Sequence, residues 1–179
     1  QTLRAIAILR GICGNINVPG GEVFFDHPRF TRPGNFYLLS KYPRNTEKLL
    51  GDRFRFAQKS TSIPSHVWAR AVLEEDPYPI RAMLTVLSNP LVTYPNSEET
   101  YRALMKLDFH AIAELFMTPT AHLADIVLPA AWGMEHDELG YWPGWHEEIR
   151  SYPKLVDTPF ECWPDTKIIN ELAKRLGLA

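Results

Sequence analysis

The residues best suited to chemistry in this chain collect in short loops that directly follow apolar runs. Ser88-Asn89-Pro90 follows the run IRAMLTVL, and Thr118-Pro119-Thr120 follows HAIAEL, which carries the acid Glu114 near its end. Ala130-Ala131-Trp132-Gly133 follows DIVLP. An amide, three hydroxyls and a carboxylate in such places hold and orient a polar ligand, and small residues let backbone amides come close to it. In an open α/β sheet this is where ligands bind, in the crevice outside the carboxyl ends of the strands. Asn89 also has a purely local reading, because Asn-Pro favours turn initiation.

Other chemistries find less support. No GxGxxG or Walker-type loop occurs, so phosphates would be met by Thr118, Thr120, backbone amides and basic side chains, assisted by helix N-termini. His136, Asp137, Glu138, His146, Glu147 and Glu148 invite a metal cluster, but their spacing fits no zinc-type motif and Pro143-Gly144 interrupts the helix such motifs use. They read as a solvated loop or a subunit contact, beside the aromatics Tyr141, Trp142 and Trp145, which are unusually dense for an exposed loop. Cys13 and Cys162 form no CxxC or Cys/His pattern and read as packing residues, which leaves the redox compartment open.

These loops require a particular set of elements. Residues 80–87 predict a buried strand, and Ser97 to Leu107 a helix with Ser97 as N-cap and Glu98-Glu99 in its first turn. His110 to Leu115 is the second strand and Asp125 to Leu128 the third, joined by a turn or short helix around 120–124. Strand, helix and strand at this spacing make a βαβ unit with parallel pairing and a right-handed crossover. The terminal DTKIINELAKRL predicts an amphipathic helix capped by Asp165 and stopped by Gly177. Upstream, Leu3, Ile6, Ala7, Leu9 and Ile12 recur at helical spacing and Gly14-Asn15 ends that helix. Residues 25–64 are irregular and rich in Pro, Arg and aromatics, and 65–73 predict a short helix closed by Pro77 and Pro79. The expectation is one α/β domain over residues 1–179, Rossmann-like and three-layered, with a mainly parallel sheet and a nucleotide-binding core at 80–179.

Composition bounds the partners. A chain of 179 residues with 45% hydrophobic content can bury one good core, and 21 acids against 19 bases are spread without a like-charged block. Nothing suggests a basic stripe for nucleic acid, and no apolar run is long enough to span a bilayer. The N-terminus does not look like a signal peptide, and Gln1 suggests that the chain begins inside something longer.

Four blocks in order carry a family resemblance: LRAIAILRGICGNINVPGGEVF at 3–24, LSNPLVT at 87–93, FMTPTAHLADIVLP at 116–129, and the terminal block holding Trp163, Asp165 and LAKRLG. With these the chain resembles the third domain of the molybdopterin oxidoreductases, the large subunits that hold a bis(molybdopterin guanine dinucleotide) with molybdenum or tungsten. The resemblance covers nearly the whole chain and is weakest over 25–64. It implies a fragment of an enzyme that supplies one guanine-dinucleotide site, while the metal ligand and the iron-sulfur cysteines lie in other domains. The partners it implies are those other domains and an iron-sulfur electron-transfer subunit, in a prokaryote, with export through a twin-arginine signal or a cytoplasmic location both open. It names no catalytic residue in this chain.

Position by position, the resemblance assigns cofactor binding to Ser88 and Asn89, with Asn89 on the guanosine and Thr93 in the same loop. It continues with Ala113 and Glu114 at the end of the second strand, where Ala113 stands in place of the family's usual polar residue. Phe116 and Thr118 follow, then His136 as a phosphate contact after Glu135, and Asp165 as an acid on the nucleotide. For Asp165 the local reading as an N-cap stands equally. Two alternatives also remain open: a cofactor-less structural relative of the kind found in the large subunit of respiratory complex I, and a free-standing nucleotide-binding module.

Overall fold

The computed structural model describes residues 2–22, 50, 63–140 and 149–178. They fall in two compact units, one drawn from residues 1–43 and 137–153, the other from 44–136 and 154–179.

In the first unit α1 runs Thr2–Ile12 and ends at Gly14, whose φ of +68° lies in the left-handed region that glycine adopts without strain. Arg10 pairs with Glu22, and the intervening turn closes through Gly21 N to Val18 O (2.9 Å) and Glu22 N to Asn15 O (2.8 Å). The expected periodicity does form a helix, yet none of its residues is buried, and Leu3 is 82% exposed. Spacing sets which residues share a face and says nothing about what covers that face. Cys13, expected to pack, is exposed. The unit also holds an antiparallel pair, β4 (Glu138–Gly140) and β5 (Arg150–Tyr152), in the register Glu138↔Tyr152. Tyr141, Trp142, Trp145, His146, Glu147 and Glu148 lie outside the described residues.

The second unit is α/β around a parallel sheet, ordered β1 (Ala82–Val86), β2 (Phe109–Glu114), β3 (Ile126–Pro129). Thr85 lies opposite Ile112, Val86 opposite Ala113, and Ala113 opposite Leu128. An isolated parallel bridge, Ala130↔Trp163, adds a further pairing beyond the end of β3. Helix α2 (Ser65–Glu74) precedes the sheet, α3 (Pro90–Thr93) and α4 (Ser97–Lys106) cross from β1 to β2, and α5 (Asp165–Arg175) follows Trp163. Ala69 and Val72 of α2 meet Ala103 of α4, flanked by Trp68, Leu73, Ile80 and Leu107. Alanines at this contact let the two helices approach closely.

Three boundaries differ from the sequence expectation. The first strand begins at Ala82, because Ile80 packs into the helix cluster. The cap of α4 is Asn96 and not Ser97: Asn96 takes the left-handed conformation at φ 58°, accepts from Glu99 N (3.3 Å) and returns an N–H to Glu99 Oε2 (2.9 Å). Asp165 is the first residue of α5 and does not cap it. Pro164 occupies the cap position, leaving the Asp165 carboxylate in the first turn where the helix dipole favours an acid. Gly177 ends α5 at φ +69°, as expected.

Candidate functional site

The parallel sheet sends successive loops out of one end. Ser88 and Asn89 follow β1, the 115–120 loop follows β2, and the 130–136 loop follows β3; Trp163 pairs alongside Ala130, and Asp165 lies two residues beyond it. With about 4.8 Å between neighbouring strands, three such steps put the Asn89 edge and the Trp163 edge roughly 14 Å apart. A ligand reaching from one to the other would have to be extended across the strand ends.

The best-defined geometry joins the first two loops. Thr120, fully buried at 0% exposure, donates its hydroxyl proton to Asn89 Oδ1 at 2.5 Å and accepts the amide of Leu91 at 3.1 Å. Thr93 Oγ1 donates to Asn89 O at 2.9 Å, which also accepts the amides of Val92 (3.1 Å) and Thr93 (2.9 Å). Asn89 is thereby held through both its carbonyls, and Thr93 keeps only lone pairs to offer. Pro90 has no N–H and the next amides of α3 are engaged, so this helix start offers no anion site. The expectation that Thr120 meets a phosphate is corrected: its proton and its accepting side are spent inside the protein. Residue type had pointed to a ligand contact, and only the three-dimensional partners reveal a clamp.

The other candidates divide in the same way. Thr118 Oγ1 accepts Ala121 N (3.2 Å) at the start of the 3-10 turn Ala121–Leu123, and its hydroxyl proton is taken up by no hydrogen bond among the described residues. Glu114, half-buried at the end of β2, turns Oε1 back onto Leu115 N (2.8 Å), which leaves Oε2 as an acceptor. Ser88 is half-buried beside Asn89. Ala113 sits in the core at 3% exposure, paired on both sides, so its methyl does not reach the crevice surface. His136 Nδ1 lies 3.1 Å from Trp132 O; because a carbonyl only accepts, Nδ1 carries the proton. The same turn is closed by Trp132 N donating to Glu135 Oε2 (2.9 Å).

Apolar side chains rim these strand ends. Leu87 is 86% exposed, Phe116 75% and Met117 58%. Leu87 also takes φ 54°, a left-handed conformation unfavourable for leucine, as β1 turns into the Ser88-Asn89 loop. The sequence reading marked Phe116 and missed Leu87, since backbone strain has no signature in residue type. Trp163 and Lys167 were missed as a pair as well: the ammonium lies 3.9 Å from the ring centroid, at the edge where Asp165 begins its helix.

At the opposite end of β2 a second polar group stands away from the crevice. His110 Nε2 meets Thr85 Oγ1 at 2.8 Å inside the core, and Asp125 Oδ2 accepts the His110 amide at 2.7 Å while Asp125 N donates to His110 O at 2.8 Å. Burial pushes the imidazole below its ordinary value, opposed by the Asp125 charge. These contacts fix where β2 and β3 start. Among the described residues no group of three or more His, Cys, Asp or Glu could hold a metal ion.

A parallel sheet with helices around it and polar groups gathered at its carboxyl ends defines an open-sheet α/β protein, the class in which ligands bind outside those strand ends. The family profile described as molybdopterin oxidoreductase matches residues 1–175, and the chain belongs to that family. It is 30% identical to the "Probable oxidoreductase YyaE" of Bacillus subtilis over 176 residues, which is 98% of this chain and 25% of that protein. It is 35% identical over 106 residues to the F420-dependent formate dehydrogenase subunit alpha of Methanocaldococcus jannaschii, 59% of this chain and 16% of the relative. Among solved structures, acetylene hydratase from Pelobacter acetylenicus superposes with a TM-score of 0.60 at 31% identity, covering 66% of this chain and 16% of that one. The chain thus spans a quarter or less of these proteins.

Proposed function

We propose that this chain forms part of a molybdenum or tungsten pterin oxidoreductase and supplies one wall of a guanine-dinucleotide site. The observation that carries the reading is the row of loops at the carboxyl ends of parallel strands, opening on Asn89, whose Nδ2 protons are taken up by no hydrogen bond among the described residues. The donor set suits a nucleotide. Asn89 offers N–H groups to a base edge, Glu114 Oε2 and the Thr93 lone pairs accept from ribose hydroxyls, and the Thr118 hydroxyl donates to a phosphate. Leu87, Phe116 and Met117 add exposed apolar surface against which a flat base can rest. Ser88, His136 and Asp165 extend the same wall.

The bound cofactor supplies the redox chemistry through its metal, in the pterin dinucleotide form expected for this family. The residues of this chain bind and orient it: they hold its nucleotide end by hydrogen bonds and exclude water from it with the apolar rim. No proton-transfer or covalent role falls to any described residue. Other domains of the same polypeptide, an iron-sulfur cluster outside this segment and an electron-transfer subunit complete the proposed assembly.

The test is elemental and nucleotide analysis of the purified full-length protein. Molybdenum or tungsten together with guanosine monophosphate released by acid hydrolysis is the expected result. A protein lacking both supports the structural relative and removes this proposal.

A further inference from the structure

We infer that Thr120 sets the chemical preference of the crevice, by locking the Asn89 amide with its oxygen inward and its NH2 outward. The inference rests on the nucleotide-site reading and goes beyond it in assigning a residue that touches no ligand.

Thr120 has no exposure, so its single O–H proton needs a protein acceptor, and its lone pairs already receive Leu91 N–H at 3.1 Å. The acceptor is Asn89 Oδ1 at 2.5 Å. A flipped amide would place two N–H groups against Oγ1 and strand the Thr120 proton in the core. Leu91 N–H, an obligatory donor, therefore orients the hydroxyl, and the hydroxyl orients the amide. Thr93 prevents escape by a different route, since its hydrogen bond to Asn89 O, with those of Val92 and Thr93 amides, fixes the backbone from which the side chain projects.

The consequence is selectivity. An unconstrained asparagine reads an amino-purine edge with both ends, Oδ1 taking the exocyclic N–H and Nδ2 donating to the ring nitrogen. Here Oδ1 is spent, so Asn89 presents donors alone. Donors alone match a keto-purine edge, which carries carbonyl and ring-nitrogen acceptors together, and leave an exocyclic amino group without a partner. Thr120 is a positioning residue, and the ligand class it selects is a guanine-type nucleotide over an adenine-type one.

The experiment uses the purified full-length protein, with the bound 5′-nucleotide released by acid hydrolysis and identified by chromatography, and the rate of nucleotide loss during dialysis as the second readout. Thr120→Val should accelerate guanine-nucleotide loss by about tenfold, the worth of one well-placed hydrogen bond, and Thr120→Ser should restore wild-type retention. Asn89→Asp keeps an oxygen toward Thr120 but turns the outward group from donor to acceptor. It should lose the guanine nucleotide while remaining folded, melting cooperatively at the temperature of wild-type protein stripped of its nucleotide. Because Thr120 acts through Asn89, adding Thr120→Val to Asn89→Asp should produce no further loss. Unchanged retention in a folded Thr120→Val protein, or fully additive losses in the double variant, overturns the inference and leaves the nucleotide site standing. A wild-type protein that releases no guanine nucleotide overturns the site reading itself, and this inference with it.

Discussion

Thr85 and His110 make the sharpest test of how the sheet beneath the crevice is held. Both are almost fully buried, at 2% and 1% exposure, and their 2.8 Å hydrogen bond crosses from β1 to β2. His110 Nδ1 is buried with no hydrogen-bond partner, so the imidazole depends on Thr85 for its one side-chain contact. Thr85→Val keeps the shape and removes the hydroxyl, leaving the ring with none. Stranding a buried polar group costs about 1–3 kcal/mol, which lowers amide protection roughly fivefold to a hundredfold when opening is local. The assay is hydrogen exchange with mass spectrometry on the full-length protein, following peptides over 82–86 and 109–114.

The pH arm follows from the direction of the His110 shift. Its folded pKa is pushed below the ordinary 6.5 by burial, so the unfolded chain takes up the proton more readily than the folded one. Protection is therefore complete above about pH 6.5 and falls as pH drops through 6.5 toward the folded value. Thr85→Val combined with His110→Leu removes both polar partners, and should recover much of the loss and flatten the acid limb after correction for intrinsic exchange. Protection in Thr85→Val within twofold of the parent, or a double variant as unprotected as the single one, would refute the reasoning.

Further outcomes are expected elsewhere in the chain. Asp125→Ala removes the acceptor of the His110 amide (2.7 Å) and should lower the melting temperature by an amount corresponding to about 1–3 kcal/mol, with Asp125→Asn recovering part of it. Asn96→Ala should cost about 1 kcal/mol at the start of α4, whereas Asn96→Gly should cost only a few tenths, since glycine adopts the observed φ of 58° without strain; urea unfolding compares the two. Gly21→Ala places a methyl 2.5 Å from Asn15 O and 2.9 Å from Val18 Cγ2, so exchange at the Glu22 amide should rise sharply as that turn opens.

The strands at 82–86, 109–114 and 126–129 were legible because each is an apolar run punctuated by Pro, Asn or Asp, and such runs have few other ways to be buried. Caps were less legible. Asn96 and Ser97 are both good cap residues, and the choice fell to the one whose side chain closes a reciprocal contact with Glu99. Asp165 was read as a cap by type, while Pro164 held the cap position. The crevice could be located, since Asn89, Thr118 and Thr120 all follow predicted strands, but not wired. Whether a threonine hydroxyl faces ligand or protein depends on partners thirty residues away, as Thr120 and Asn89 demonstrate. α1 illustrates the converse: its periodicity was visible, and what that face meets was not.

The chain leaves the sheet unit at His136 and re-enters it at Lys154, and the two ends of this excursion are tied together. Met134 O accepts the amides of both Leu155 (2.9 Å) and Val156 (3.1 Å), and Thr158 Oγ1 donates to Glu135 O at 2.7 Å. A neck closed in this way is held by residues of the sheet unit alone. Lengthening a loop whose ends are already joined costs only about 0.6 kcal/mol per doubling, so insertions between the neck residues need not loosen the strand ends. The 130–136 loop thus keeps its anchorage to residues 155–158 whatever length of chain separates them.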